Sequence, residues 1–82
     1  MKFGKVIFEV RERLDISQAK LAAQLKVSVP TINRWENNKS IPDNLAMAQL
    51  AQFVSNQGEL LADLYAEYFS KAENRAAREA WP

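Results

Sequence analysis

Apolar positions recur along most of this chain at the three- and four-residue spacing of a helix, and the breaks fall where helices end. Phe3, Ile7, Val10 and Leu14 form a first stripe, broadened by Val6 and Phe8, which predicts a helix from residue 2 or 3 to residue 14. Gly4 is an odd choice inside it, and the first turn is expected to fray. After the Asp15-Ile16 link, residues 17–25 carry Leu21, Ala22 and Leu25 at helical spacing. Residues 28–37 turn Ile32 and Trp35 inward, with Glu36 at the same spacing, and leave Val29, Pro30, Asn33 and Arg34 outward. Both segments open with a serine, Ser17 and Ser28, whose hydroxyl can accept from an orphan backbone N–H. Pro30 is tolerated in a first turn, where the missing N–H has no intrahelical acceptor.

Asn37-Asn38 ends that helix, and Ser40-Ile41-Pro42 reads as an extended link. Asp43 or Asn44 caps a fourth helix, 44–56, which is stopped by Asn56-Gln57-Gly58. A fifth helix is expected over 59–80. Leu60, Leu61, Leu64, Tyr65, Tyr68 and Phe69 give it a wide apolar band before it turns polar and alanine-rich at 71–80. The pattern is all-α, with a division expected between residues 1–57 and 58–82.

Only Lys26 and Val27 separate the second and third helices, so the two cross steeply in a helix-turn-helix arrangement. Without a glycine there, Lys26 either accepts a left-handed backbone or adopts another turn. The outward face of the third helix is the one such a motif presses into the DNA major groove. Gln18, in the first turn of the second helix, reads either as an ordinary exposed polar residue or as a phosphate contact.

Composition narrows the chemistry. The 82 residues include no cysteine and no histidine, which removes thiol chemistry and the commonest general base and metal ligand. Glu9, Glu12 and Asp15 read as a solvated face, and Asp63, Glu67 and Lys71 as surface pairs at helical spacing. No phosphate-binding glycine loop or metal-ligand cluster is present. An enzyme, a cofactor and a metal are therefore not expected. No apolar run approaches the length of a membrane span, and the chain is expected to be cytoplasmic. Net charge is only +1, but residues 1–44 hold eight Lys/Arg against five acids, whereas residues 45–82 hold three against five. The positive excess travels with the helix-turn-helix, which is weak support for a polyanionic partner.

The stretch from Arg11 to Pro42, RERLDISQAKLAAQLKVSVPTINRWENNKSIP, resembles the Cro/phage-repressor (Xre) type of helix-turn-helix family. The shared pattern is Arg11, Ile16-Ser17-Gln18, Leu21-Ala22, Val27-Ser28, Ile32, Trp35-Glu36, Asn37, Lys39 and Pro42. The resemblance implies a lambda-repressor-like domain of four helices, here followed by a fifth. It implies that Val29, Pro30, Asn33 and Arg34 face base edges. Arg11, Gln18, Ser28, Asn37 and Lys39 would meet phosphates, and Arg11 and Glu36 would form a partly buried ion pair. The chain departs from the family pattern at Lys26 and Asn38, where glycine is common. It departs again at Pro30, which has no donor and offers a base only apolar contact.

These readings converge on a sequence-specific double-stranded DNA-binding protein, a homodimeric transcriptional repressor with helix 28–37 in the major groove. The fifth helix either packs on the domain or meets its own copy through Leu61, Leu64, Tyr65, Tyr68 and Phe69. The alternative is a protein-interaction or antitoxin-like module with the same fold and a protein partner, or a DNA-targeting domain of a larger system.

Overall fold

The computed structural model describes residues 2–70, and they form two compact units divided between Ile41 and Pro42. That boundary lies ahead of the 57/58 division expected from the sequence, because the fourth helix contacts the segment that follows it. No helix among the described residues is long and apolar enough to cross a membrane.

The first unit contains α1 (Phe3–Leu14), α2 (Gln18–Leu25) and α3 (Val29–Glu36), with α3 packed against both others. Ser17 accepts the Lys20 N–H at 3.0 Å, and Ser28 accepts the Thr31 N–H at 3.2 Å, as the serines predict. Pro30 occupies the first turn of α3. Val6, Ile7, Val10, Leu21, Ala22, Leu25, Ile32 and Trp35 are buried.

This unit turns left-handed three times without a glycine: Asp15 (φ 54°), Lys26 (φ 58°) and Asn38 (φ 59°). The turn after α2 therefore follows the strained alternative, since a lysine at this φ costs on the order of 1 kcal/mol. The helix end gains a closing hydrogen bond, Val27 N–H to Ala22 O at 3.0 Å. Ile16 N–H to Arg11 O and Lys39 N–H to Arg34 O close the ends of α1 and α3 in the same way.

Gly4 is buried in the first turn of α1, where the start of that helix meets the end of α3. A Cβ there would lie 2.3 Å from the Glu36 carbonyl oxygen and 2.8 Å from that of Trp35. The Gly4 N–H donates to Asn38 Oδ1 at 3.0 Å, so the turn is pinned instead of frayed. The glycine serves a backbone approach made 32 residues away in sequence.

The second unit holds α4 (Asn44–Ser55), a 3-10 turn (Gly58–Leu61), the single-turn α5 (Ala62–Leu64) and a π-helical turn (Tyr65–Phe69). Asp43 caps α4 by accepting the Ala46 N–H at 2.8 Å. The expected uniform helix is thus a sequence of three helical forms over its described part, and residues 71–80 of that expectation lie outside the described residues. Burial accounts for the change. In an α-helix a residue five positions on lies about 140° around the axis, so Leu64 and Phe69 would not share a face. The wider π turn, closed by Ser70 N–H to Tyr65 O, lets both be buried, and Leu61 is buried with them.

Gly4→Ala separates two opposing effects. Intrinsic helix propensity favours alanine by about 1 kcal/mol. Forcing a methyl into the Glu36 carbonyl costs about 1–3 kcal/mol or more. The clash is with backbone, so the expected net result is a lower urea midpoint at unchanged m-value. A higher midpoint would mean that α1 and α3 do not keep this approach in solution.

Candidate nucleic-acid interface

The face of α3 opposite Ile32 and Trp35 is open: Val29 is 41% exposed, and Pro30, Asn33 and Arg34 are exposed with it. Two side-chain chains order this surface. Ser28 Oγ and Thr31 Oγ1 are 2.8 Å apart, and Arg34 Nη2 donates to Thr31 Oγ1 at 3.3 Å. Thr31 is thus a member of the site that the sequence reading missed. Its signal was the three-residue step from Ser28 and on to Arg34, which puts all three on one side of the helix.

Asn37 Nδ2 donates to Asn33 O at 2.9 Å and to Asn33 Oδ1 at 3.1 Å. Its amide nitrogen thereby supports Asn33. Asn33 keeps its own Nδ2 for a ligand. Lys39, beyond the helix, and Ser28, at its start, are exposed.

Arg11 crosses from α1 to α3 as a fork. Its Nε meets Glu36 Oε2 at 2.6 Å and its Nη2 meets Glu36 Oε1 at 2.9 Å, while Nη1 donates to Ile16 O at 3.1 Å. The side chains are 16% and 9% exposed. The hydrogen bond to Glu36 raises the guanidinium pKa above its ordinary value, against the lowering effect of burial, and the Glu36 and Glu12 charges add to the rise. Phe8 supplies an aromatic floor: the Arg11 guanidinium carbon is 5.5 Å from its ring centroid and Lys5 Nζ is 5.9 Å from it.

Gln18 reaches the same carboxylate from α2, Nε2 to Glu36 Oε1 at 3.3 Å. One N–H of its amide remains for a phosphate. Gln18, Asn33 and Asn37 share a groove of about 470 Å³ with Lys2 and Lys5 of the α1 end. Nothing in the spacing of α1 tells that its first turn lies beside the outward face of α3.

The tentative dimer residues divide. Leu61, Leu64 and Phe69 are buried within the chain, which leaves their side chains no surface to offer a second copy. That corrects the expectation for these three, since an apolar band on one helix is satisfied by the core first. Tyr65 and Tyr68 are half-buried. The second unit's open apolar side chains are instead Leu45, 70% exposed, and Leu60, 51% exposed.

A helix-turn-helix family model matches residues 7–54, more than half of the chain, from within α1 nearly to the end of α4. No curated protein and no solved structure matches the chain.

The fork between Arg11 and Glu36 generates a stability prediction. A double-mutant cycle with Arg11→Ala and Glu36→Ala is expected to give a coupling of about 1–3 kcal/mol. Exposed pairs reach only about 0.2–1 kcal/mol. Coupling in that lower range, measured by urea unfolding of the four proteins, would mean that the pair is an ordinary surface contact.

Proposed function

The chain belongs to the helix-turn-helix family of the Cro/phage-repressor (Xre) type, and from that premise we propose that it is a sequence-specific transcriptional repressor acting as a homodimer. DNA binding itself follows from the family. The observation that carries the finer reading is the open, internally braced face of α3, where Asn33 is held by Asn37 and Arg34 by Thr31.

In this reading α3 lies in the major groove. Arg34 retains free donors for guanine O6 and N7, and Asn33 offers its Nδ2 to an acceptor on a base edge. Val29 and Pro30 give apolar contact, to which a thymine methyl is suited. Gln18, Ser28, Lys39 and the two remaining N–H groups of Arg11 meet the backbone, which fixes register without reading sequence.

A single unit with a chain charge of +1 and few phosphate contacts binds weakly. Two copies on half-sites about 34 Å apart multiply that affinity and read a palindrome. The exposed Leu45 and Leu60 support a pairing surface in the second unit. The same two residues favour the second reading, in which that unit holds a different protein as an antitoxin-like or targeting module would.

Selection from a random duplex library is the direct test. Two enriched half-sites about one helical turn apart are expected. Arg34→Ala should cost about 1–3 kcal/mol on the selected site and relax preference at one position. Lys39→Ala should weaken binding to all sequences alike and flatten the salt dependence by about 0.9. Unchanged site preference in the Arg34 variant would remove the recognition-face assignment. A stable complex with another protein and no enriched DNA would favour the second reading.

A further inference from the structure

We propose that the groove between the start of α1 and the face of α3 seats a phosphate of the DNA backbone, held by Lys2 and Lys5 with the side-chain amide of Asn38. The inference rests on the DNA-binding reading above and adds a contact set from outside the helix-turn-helix.

The case comes from counting donors and acceptors along the groove. Its acceptors are largely spent inside the protein. Glu36 receives Arg11 twice and Gln18 once. Asn33 Oδ1 receives Asn37, and Asn38 Oδ1 receives the Gly4 N–H. The amide oxygens of Gln18 and Asn37 receive nothing, and those of Asn33 and Asn38 keep one lone pair each. The donors stand unspent: both lysine ammonium groups, the Nδ2 groups of Asn33 and Asn38, and one N–H of Gln18. With the Glu36 charge matched by Arg11, the two lysines leave the groove with an uncompensated charge of about +2. A lining with free donors, two ammonium groups and no unpaired carboxylate selects an anion that can only accept.

The fold brings these donors together on purpose of one contact. Gly4 admits the α3 carbonyls to within a distance that no side chain tolerates, and Asn38 turns left-handed to cap the Gly4 N–H. That docking sets Lys2 and Lys5 on the groove shared with Asn33 and Gln18. A DNA strand whose bases meet Asn33 presents its phosphates at the edge of the same surface. A duplex is therefore the occupant that the position of the groove favours.

Phosphate contacts do not depend on sequence, so the test uses one arbitrary duplex as well as any selected site. Affinity is measured against salt for the full chain, the Lys2→Gln/Lys5→Gln double variant and the Lys2→Arg/Lys5→Arg double variant. Each phosphate neutralised contributes about 0.9 to the slope of log K against log salt. The glutamine variant is expected to lose about that much slope on both duplexes, by the same factor, with base preference unchanged. The arginine variant is expected to keep the wild-type slope. An unchanged slope in the glutamine variant, with wild-type binding intact, overturns the phosphate seat and leaves the DNA-binding reading standing. A slope lost equally in the arginine variant also overturns it, because charge would not be the cause. No binding of either duplex by the wild-type chain at low salt overturns both.

Discussion

The bidentate contact between Arg11 and Glu36 is the constraint on which the first unit's geometry turns. It joins α1 to α3, and through Gln18 and the Ile16 carbonyl it reaches both the start of α2 and the link before it. A largely buried ion pair is a poor source of net stability, because the desolvation of two charges offsets much of their attraction. What it provides is direction. A planar fork on a carboxylate has one good geometry, whereas apolar side chains such as Ile7 and Ile32 would tolerate several relative positions of their helices. The pair also decides what Gln18 can do, since one amide hydrogen is held by Glu36 and the other is left facing outward.

The second constraint is steric and lies at the start of α1, against the same last turn of α3. The start of α1 and the last turn of α3 approach so closely that Gly4 has no room for a Cβ. The unsatisfied N–H of Gly4 and the chain leaving α3 meet through Asn38, so two helix ends are closed by one contact. Together the fork and the close approach hold the last turn of α3 from two separated positions on α1, Arg11 and Gly4.

Much of this was legible in the chain. Ser17, Ser28 and the Asp43-Asn44 pair announced the starts of three helices, because capping is a local interaction spanning three residues. The Arg11 and Glu36 pairing was legible only through the family resemblance, since nothing local links residues 25 apart. Gly4 was unreadable for the same reason: its cause is a backbone carbonyl from a distant segment. The left-handed turn at Lys26 is not written in the residue, because lysine has no preference for that conformation and only the surrounding helices enforce it. The fifth helix was legible as helical but not in form. A band of leucines and aromatics shows that a face is buried, yet the i+5 step from Leu64 to Phe69 becomes usable only when the backbone widens to a π turn. The groove at Lys2 and Lys5 depended on Gly4, and was hidden with it.

The arrangement of the α3 face bears on how so weakly charged a chain gains affinity for DNA. Each rotamer-rich side chain immobilised on binding costs about 0.5–1.5 kcal/mol. Here Asn33 is already held by Asn37, Arg34 by Thr31 and Gln18 by Glu36. Part of that ordering is therefore complete before DNA arrives, and the contacts that remain are not offset by it. The same bracing narrows choice. Asn33, with one lone pair of its carbonyl engaged by Asn37 at the end of α3, would on the proposed reading offer donors more readily than the donor–acceptor pair that reads adenine bidentately. On that proposed reading, Asn37 and Thr31 act on recognition through the side chains they hold.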